Sequence, residues 1–312
     1  MITKCLYCYE ALDAGEKDFH SRCSKKMFGA AEPPLLPYTE DNLEKLAEEV
    51  IRSHTSVTGV QPKLSLHLEK DKNNVKKFTI VGLWGGYILK PPGLQYPQLP
   101  EVEHLTMRMA AIAKIKTVPH SLIKLQSGAI AYITKRVDRI GQEKLHMEDM
   151  CQLTERLTED KYNGSHEQIA KVIKKYSATP GLDTINFFEL VLFSFLTGNA
   201  DMHLKNFSLI YQPNLGIVLS PAYDLVATTL VNPADDEDFA LTMNGKKKKI
   251  KKNDFIAAFN TANLGEKQQW NIFQKMQHSL PLWVDLIEKS FLSKKFKAAY
   301  RNILSERFNR LN

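Results

Sequence analysis

The pattern of hydrophobic and polar residues predicts a sheet in the first half of the chain. Short apolar runs, some alternating with polar residues, indicate strands bounded by turn-forming residues. The predicted strands are Leu64–Leu68, Phe78–Val81, Gly85–Lys90, Ser121–Leu125 and Ala129–Thr134. Helical patterns run from Thr39 to Ile51, after a proline-rich linker, and over Leu99–Ala113. Together these elements predict a small β-rich lobe.

The second half of the chain has the pattern of a helical lobe that contains one β-hairpin. Phe187–Leu196 is a continuous apolar run typical of a buried helix. Phe207–Tyr211 and Ile217–Leu219 predict the two strands of the hairpin. Towards the C-terminus, apolar residues recur at helical spacing, and Trp270 and Leu282 are expected in the core with them.

The composition agrees with a globular protein that has a sizeable core, because 43% of the 312 residues are hydrophobic and 25% are charged. The expected class is α+β, with a short N-terminal segment over residues 1–30, an N-lobe over 31–136 and a C-lobe over 137–312. The net charge of +7 is diffuse, so direct DNA contact is not expected. No apolar run has the length of a membrane span and the first residues lack the shape of a signal peptide. A cytoplasmic protein without a membrane partner is therefore expected.

Three polar side chains around the predicted hairpin have the chemistry of phosphoryl transfer. Asp201 and Asn206 lie between the buried helix and the first hairpin strand, and Asp224 follows the second strand. One carboxylate can accept the proton of an attacking hydroxyl, while an asparagine oxygen and a second carboxylate are hard ligands that suit Mg²⁺. Each residue taken singly is also typical of a turn. Their combination, with His203 between them, favours the catalytic interpretation.

A second stretch with candidate chemistry precedes the first predicted strand. Its residues are Ser56, Val57, Thr58 and Gly59. Backbone N–H groups of this segment, with Lys63 close by, could cover nucleotide phosphates, although an ordinary turn before a hairpin has the same pattern. Lys90 lies at the end of a predicted strand. Protein kinases use a lysine on a strand to hold the α- and β-phosphates of ATP. Glu103 is either its ion-pair partner or a solvated helix carboxylate.

The stretch after the last predicted strand is interpreted as a hinge between the lobes. Lys135, Val137 and Asp138 lie in this stretch. Adenine could dock on their backbone groups, which would make the hinge part of a nucleotide site.

Cysteine and histidine are concentrated near the N-terminus. Cys5 and Cys8 form a CxxC pair, and His20 and Cys23 form an HxxC pair. Three thiolates and an imidazole suit a structural, tetrahedral Zn²⁺, which would stabilise a segment too short to build its own core. A disulfide and a set of small apolar fillers with a surface histidine are the alternatives. Cys151 stands apart and is expected in the core.

These motifs resemble those of the HipA-type serine/threonine kinases of bacterial toxin–antitoxin systems. The resemblance covers nearly everything after the Cys/His segment. It is carried by Thr58–Lys63, Tyr87–Lys90, Lys135–Arg139, Gly198–Ser208 and Ser220–Asp224. It implies a two-lobed protein-kinase-like fold with a small β-rich N-lobe and a mainly helical C-lobe.

The resemblance also implies roles for residues of the C-lobe and the use of ATP and Mg²⁺. Asp201 corresponds to the catalytic base, and His203 and Lys205 to residues that support the catalytic loop. Asn206 and Asp224 correspond to the Mg²⁺ ligands.

In the N-lobe, the resemblance makes Lys90 the lysine that contacts ATP phosphates. The Ser56–Gly59 segment corresponds to a Gly-rich loop in which a serine is autophosphorylated as self-inhibition. Ser56 is the best match to that serine and Thr58 is the second candidate.

Fewer residues precede this loop than in full-length HipA, so the chain resembles the shorter HipT branch. The resemblance then implies a separate HipS-like antitoxin and a HipB-like DNA-binding partner. It also implies an aminoacyl-tRNA synthetase as substrate, with the tryptophanyl enzyme favoured, whose phosphorylation arrests translation.

Two other classes of function stay open from the sequence. A lipid or small-molecule kinase is one, since phosphoinositide kinases also have an Asp-x-His-x-x-Asn loop. A catalytically silent kinase fold that acts as a binding protein is the other. The joint presence of Lys90, Asp201, Asn206 and Asp224 favours an active kinase over a silent one.

Overall fold

The protein consists of two compact units. The computed structural model describes residues 3–43, 45–46, 63–70, 75–81, 85–93, 95–141 and 143–311. The first unit comprises Met1–His104, Val118–Arg136 and Lys289–Phe291, and the second comprises Leu105–Thr117, Val137–Glu288 and Leu292–Asn312.

The first unit is built on a five-stranded antiparallel sheet in the order β2-β1-β3-β5-β4. The strands are β1 (Leu64–Lys70), β2 (Lys76–Val81), β3 (Tyr87–Lys90), β4 (His120–Lys124) and β5 (Ile130–Lys135). In β1, buried Leu64 and Leu66 alternate with the more exposed Ser65 and His67, whereas β4 and β5 are buried along most of their length. All five predicted strands are confirmed, with shifts of a few residues at their ends.

Three helical segments accompany this sheet within the described residues. Helix α1 (Ser21–Phe28) packs on it through Phe28, whose ring lies 5.9 Å from that of Phe78. Lys76 Nζ donates to the carbonyl oxygen of Phe28 at 3.1 Å and so satisfies the end of α1. Residues 40–43 and 45–46 are helical, as predicted, and the rest of that predicted helix lies outside the described residues. Helix α2 (Leu99–Ile112) begins in this unit.

The second unit is mainly helical. Its helices are α3 (Met150–Leu153), α4 (His166–Tyr176), α5 (Pro180–Thr197), α6 (Thr228–Val231), α7 (Lys252–Thr261), α8 (Glu266–Lys289) and α9 (Lys294–Asn309). The central helix is α5, which is buried from Phe187 to its end apart from half-buried Glu189 and confirms the predicted buried helix. Its Phe193 ring meets Trp283 of α8 edge to face at 5.5 Å. None of the described helices is both long and apolar enough to cross a bilayer.

Two small sheets interrupt the helices of the second unit. The predicted hairpin is confirmed as β9 (Ser208–Gln212) and β10 (Gly216–Leu219). A short strand that the pattern did not predict, β8 (Met147–Asp149), pairs with the other edge of β9. The strands β6 (Arg139–Ile140) and β7 (Glu143–Lys144) form a separate two-residue hairpin. The expectation of a single hairpin among helices was therefore too simple.

The expectation that Trp270 and Leu282 belong to the core is wrong. Their exposed fractions are 59% and 56%, although both lie in α8. Trp283, the next residue after Leu282, is fully buried. Adjacent residues of a helix point about 100° apart, so only one of two neighbouring apolar residues can face the core here.

Candidate active site

The loop that carries Asp201 begins at a glycine that the geometry requires. Helix α5 ends at Gly198, which has a left-handed conformation with φ of 70°. A Cβ atom at this position would lie 2.2 Å from Thr229 Oγ1, which is too close for any side chain. A residue other than glycine would thus meet both backbone strain and a steric clash.

Two threonines from the start of α6 hold this loop. The amide of Ala200 donates to Thr228 Oγ1 at 2.8 Å. The carbonyl oxygen of Gly198 accepts from the amide and the hydroxyl of Thr229, each at 3.1 Å. Because α6 follows Asp224 in the chain by only a few residues, these bonds tie the Asp201 loop to the segment that carries Asp224.

The carboxylate of Asp201 accepts a hydrogen bond from Tyr162, whose hydroxyl oxygen lies 3.0 Å from Asp201 Oδ1. Asp201 reaches solvent, yet the surrounding protein atoms raise the pKa of its carboxyl above the ordinary value, chiefly by desolvation. The hydrogen bond from Tyr162 and the charge of Lys161 oppose this rise in pKa, whereas the negative charge of Asp224 adds to it. Asp201 and Asp224 are therefore close enough to interact electrostatically.

His203 and Asn206 are buried side chains that shape the rest of the loop. The backbone amide of His203 donates to Asn206 Oδ1 at 3.1 Å, across a 3₁₀ turn over Leu204–Asn206. The ring of Tyr162 meets the His203 ring edge to face at 5.2 Å. Tyr162 thus contacts both the carboxylate and the imidazole of this loop.

Asp224 follows a half-buried tyrosine that connects the two ends of the site. The hydroxyl of Tyr223 donates to the carbonyl oxygen of Lys205 at 2.9 Å and lies 2.6 Å from Ser208 Oγ. Asp224 itself has a left-handed backbone with φ of 60°, which is uncommon for a residue with a side chain. Strained backbones of this kind concentrate at functional sites, where the surrounding contacts impose them.

The donor set in this unit fits a hard divalent cation. Asp224 offers carboxylate oxygens, and Asn206 Oδ1 is a carbonyl oxygen with two lone pairs, of which the His203 amide takes one. Oxygen donors of these two kinds are the ligands that Mg²⁺ takes from proteins. Lys205 turns to Asp149 instead, with its Nζ 2.8 Å from Asp149 Oδ2, and so anchors the loop to the strand β8.

In the first unit, Lys90 at the end of β3 forms a buried ion pair with Glu103 of α2. The Lys90 Nζ to Glu103 Oε1 distance is 2.6 Å, and the two side chains are 5% and 1% exposed. The Lys90 ammonium also lies 5.5 Å from the centre of the Tyr132 ring. Of the two interpretations of Glu103, the ion pair is the one that the structure contains.

The other predicted residues of the N-lobe are placed as follows. Lys63 is exposed immediately before β1, and Lys135 ends β5 with its ammonium 5.8 Å from the centre of the Tyr87 ring. The amides of Lys135 and Arg136 donate to backbone carbonyls of this unit, at 2.9 Å each. The Gly-rich segment of Ser56, Val57, Thr58 and Gly59 lies outside the described residues.

The predicted hinge residues Val137 and Asp138 belong to the second unit, in its segment Val137–Glu288. The Asp138 carboxylate accepts from Arg139 Nη1 at 2.8 Å, and its carbonyl oxygen accepts from the amide of Leu145 at 3.0 Å. Asp138 therefore stabilises the turn around β6 and β7.

The side chains of Cys5, Cys8, His20 and Cys23 are brought together in the first unit. Their candidate ligand atoms all lie within 4.8 Å of one another. Cys151 is buried elsewhere, as predicted.

The sequence analysis assigned no role to four residues of the site: Tyr162, Tyr223, Thr228 and Thr229. Each of them makes a hydrogen bond to a residue that is distant along the chain or to a backbone group. A pattern of polar residues does not encode such contacts. Only the position of Tyr223 beside Asp224, in a motif already singled out, pointed towards one of them.

The fold and these two sets of side chains define a two-lobed kinase-like protein, and comparison with known proteins gives the family. The sequence profile of the HipA-like C-terminal domain matches residues 55–283. The chain therefore belongs to the HipA-like C-terminal domain family, as the resemblance of its motifs implied.

Two curated relatives illustrate the similarity. A Sinorhizobium fredii protein named "Putative kinase Y4dM" is 31% identical over 229 residues, which cover 68% of this chain and 54% of that protein. The "Serine/threonine-protein kinase toxin HipA" of Shewanella oneidensis is 28% identical over 197 residues, which cover 56% of this chain and 43% of that protein. The chain thus spans about half the length of these relatives.

A solved structure confirms the fold. The Shewanella oneidensis toxin–antitoxin complex of HipA, HipB and operator DNA contains a chain with a TM-score of 0.69 to this protein, at 22% sequence identity. The superposition covers 90% of this chain and 72% of that one. The predicted α+β, HipA-type kinase fold is therefore correct.

Proposed function

We propose that this protein is an ATP- and Mg²⁺-dependent serine/threonine protein kinase of the HipA type. The observation that carries the proposal is the arrangement of Asp201, Asn206 and Asp224 in one unit. One carboxylate with a raised pKa lies within electrostatic reach of a second carboxylate, in a loop whose asparagine oxygen is fixed by a backbone amide. Phosphoryl transfer needs a base and oxygen ligands for Mg²⁺ in this combination.

In this proposal Asp201 accepts the proton of the attacking hydroxyl. A base works best when its pKa lies nearer the operating pH than that of a solvated aspartate, and desolvation moves Asp201 in that direction. Tyr162 orients the carboxylate through its hydroxyl. His203 and Lys205 are positioning residues, since one packs against Tyr162 and the other ties the loop to Asp149.

Asn206 and Asp224 would hold the Mg²⁺, which neutralises charge on the phosphates of bound ATP. Lys90 would contact the phosphates, with Glu103 fixing its position. Protein kinases use a lysine on a β-strand, paired with a glutamate on a helix, for this purpose. Lys63, Lys135, Val137 and Asp138 are proposed to line the remainder of the nucleotide site.

We further propose that the protein acts as the toxin of a toxin–antitoxin pair. The support is its membership of a family that includes a kinase toxin. The substrate would be an aminoacyl-tRNA synthetase, with the tryptophanyl enzyme favoured. A HipS-like antitoxin and a HipB-like DNA-binding protein would be its partners.

Autophosphorylation of Ser56, or else Thr58, would regulate the enzyme. A phosphate group adds roughly −1.5 to −2 charges at pH 7, where the phosphates of ATP are proposed to sit. Repulsion between like charges would then lower the affinity for the nucleotide.

Peptide mass spectrometry after incubation with Mg-ATP tests the activity and its regulation together. The parent chain and an Asp201→Asn variant are compared, with Asp236→Asn as a control because the carboxylate of Asp236 is 77% exposed. The expected result is phosphate on Ser56 or Thr58 in the parent and in the control, but not in Asp201→Asn. Equal phosphorylation of all three would contradict the role of Asp201.

A phosphate that never appears on this chain would remove the self-regulation. Phosphorylation of the purified synthetase by the parent chain would then still support the kinase. Transfer to a lipid or a small molecule, but to no protein hydroxyl, would instead support the alternative kinase class.

A further inference from the structure

The side chains of three cysteines and one histidine lie close together in the N-terminal segment. The ligand atoms of Cys5, Cys8, His20 and Cys23 are all within 4.8 Å of one another. Cys5, His20 and Cys23 are buried, with exposed fractions of 0%, 3% and 7%, and Cys8 is half-buried. None of the four cysteines in the chain forms a disulfide, so the three thiols near His20 are available as ligands.

Two of the distances between these atoms, those from the imidazole to two sulfur atoms, agree with the edges of a tetrahedron around a metal ion. His20 Nδ1 lies 3.3 Å from Cys8 Sγ and 3.8 Å from Cys23 Sγ. Zinc bond lengths of about 2.3 Å to sulfur and about 2.0 Å to nitrogen give a tetrahedral nitrogen–sulfur edge of about 3.5 Å. The two observed distances bracket this value.

The orientation of His20 has the features of a metal-binding imidazole. Its Nε2 lies 2.8 Å from the carbonyl oxygen of Ala11, which can only accept, so Nε2 carries the proton and donates. In the neutral ring Nδ1 is then the unprotonated nitrogen, and it is the one that faces the sulfur atoms. Metal-binding histidines commonly donate a hydrogen bond from their other ring N–H to a backbone carbonyl oxygen in this way.

The backbone around the cluster supports the same interpretation. The amide of His20 lies 3.5 Å from Cys5 Sγ and points its hydrogen towards that sulfur, a contact that stabilises a thiolate. His20 is the residue that precedes α1, yet its side chain makes no capping hydrogen bond to the first backbone amides of the helix. The imidazole instead faces the sulfur atoms, including that of Cys23 in the first turn of α1.

From these observations we propose that Cys5, Cys8, His20 and Cys23 bind one structural Zn²⁺. With four protein ligands the coordination shell is closed, so the ion stabilises the segment and takes no part in chemistry. The ion supplies the free energy that so short a segment cannot gain from its own core.

The cluster is connected to helix α2 through Tyr9, the residue after Cys8. Tyr9 has a left-handed backbone with φ of 69° and is 2% exposed. Its hydroxyl lies 2.8 Å from Nδ1 of His104, and its ring meets that of Phe291 edge to face at 5.4 Å. His104 directly follows Glu103, the partner of Lys90. Loss of the ion is therefore expected to loosen the start of α2, and only the effect of this loosening on catalysis depends on the function proposed above.

Metal analysis of the full chain tests the site without any reference to kinase activity. The chain is purified from a medium that supplies zinc, iron and nickel, and its metal content is measured together with the X-ray absorption at the zinc edge. One zinc per chain, bound by three sulfur atoms and one nitrogen, is the expected result. A chain that holds no zinc, even after refolding with Zn²⁺, overturns the proposal. Iron in place of zinc, or a mass deficit that reveals a disulfide, also overturns it.

Two variants and one control locate the ion. Cys8→Ser and His20→Ala should each reduce the bound zinc at least about tenfold, since loss of one of four ligands weakens a structural site strongly. Cys151→Ala, which removes the buried cysteine outside the cluster, should keep the full amount. Loss of zinc from the Cys151 variant, or retention in both cluster variants, contradicts the assignment.

Hydrogen exchange then tests the connection to α2. Removal of zinc with a chelator should accelerate exchange of the amides of Val102, Glu103 and His104, with little change in α5 as an internal reference. Unchanged exchange at these three amides, after zinc is shown to be gone, would overturn the connection through Tyr9.

Discussion

The hydroxyl of Tyr162 donates a hydrogen bond to Oδ1 of Asp201 across 39 residues of sequence, at 3.0 Å. Partial desolvation by the surrounding protein atoms raises the pKa of the Tyr162 hydroxyl, as does the neighbouring carboxylate of Asp201, so the tyrosine stays protonated and remains a donor. The bond lowers the pKa of Asp201 against the larger opposing effect of desolvation. Tyr162 is therefore expected to set both the position and the pKa of the proposed base.

Replacement of Tyr162 by phenylalanine should raise the pKa of Asp201 further. The acidic limb of the pH–rate profile would then move to higher pH, because the base must lose its proton before it can act. Loss of a hydrogen bond to a charged group should also reduce kcat by about tenfold at neutral pH. The measurement is a pH profile of phosphoryl transfer for both chains.

Tyr176→Phe is a matched control for this variant, since Tyr176 is an exposed tyrosine at the end of α4. Its profile should coincide with that of the parent. A Tyr162→Phe profile with an unchanged acidic limb would show that the hydrogen bond does not tune Asp201.

The buried pair of Lys90 and Glu103 predicts a strong effect on stability. Glu103→Gln would leave a buried ammonium without its counter-charge, and the free energy of unfolding should fall by about 3 kcal/mol. A double variant, Lys90→Met with Glu103→Leu, should recover much of this loss because neither charge remains buried. Urea denaturation measures both changes.

The same variants separate stability from function. ATP binding should be lost in the double variant even though its stability recovers, since Lys90 is proposed to contact the phosphates. Glu143→Gln, at an exposed position of β7, is the control and should alter neither property. A double variant that is stable and binds ATP normally would contradict the role of Lys90.

His166 predicts a loss of stability in mild acid. This histidine is fully buried among Phe187, Phe207 and Phe239, and its Nδ1 lies 3.1 Å from the carbonyl oxygen of Thr242. Desolvation lowers the pKa of His166 from 6.5 to about 4. Between these two values the unfolded chain binds a proton that the folded chain does not, so stability falls as the pH decreases from 6.5 to 4, by about 3 kcal/mol in total.

A His166→Leu variant should remove this contribution to the pH dependence. The free energy of unfolding, measured by urea denaturation between pH 7 and pH 4, should fall less steeply with decreasing pH in the variant than in the parent. Exposed His146, replaced by leucine, is the control and should leave the slope of the parent unchanged. Parallel slopes for the parent and the His166 variant would refute the assignment.

Gly198 predicts a steric effect that can be separated from backbone strain. Alanine at this position would meet Thr229 Oγ1 in addition to a φ of 70°. Gly245 has a similar φ of 75°, but no atom lies within 4 Å of the position of its Cβ. Gly245→Ala should therefore cost about 1–2 kcal/mol from backbone strain alone, whereas Gly198→Ala should cost about 1–3 kcal/mol more.

Thermal denaturation of the two glycine variants measures this difference. Adding Thr229→Ser to Gly198→Ala keeps the hydroxyl and should not rescue stability, while adding Thr229→Ala removes Oγ1 and should restore part of it. Equal losses in the two glycine variants would show that the close approach to Thr229 is unimportant.

Local patterns were sufficient for much of the fold. Apolar runs marked β1 to β5 within a few residues and the buried C-terminal half of α5, because burial leaves a recognisable pattern in the sequence. The strand β8 was missed since three residues are too few to show a period, and its pairing with β9 depends on a partner about sixty positions further along. Trp270 was misplaced because its apolar side chain fits the helical spacing of α8 although it faces solvent.

The residues of the candidate site likewise include some that the sequence identified and some that only the fold revealed. Asp201, Asn206 and Asp224 were identified because their side chains form a recognisable set of donors close together in sequence. Tyr162 and Thr229 were not, since their roles arise from contacts that only the fold creates. The pairing of Lys90 with Glu103 was foreseen as one of two alternatives, and burial of both side chains decides between them.

Calorimetric titration of the full chain with ATP is the most direct test of the proposed function. The account predicts binding at one site that requires Mg²⁺ and that is weakened at least tenfold by Asp224→Asn, since one metal ligand is then lost. Asp236→Asn, the exposed control, should bind as the parent does. Absence of binding with Mg²⁺ present, or equal binding by the Asp224 variant, would contradict a Mg²⁺-ATP site built on Asp224.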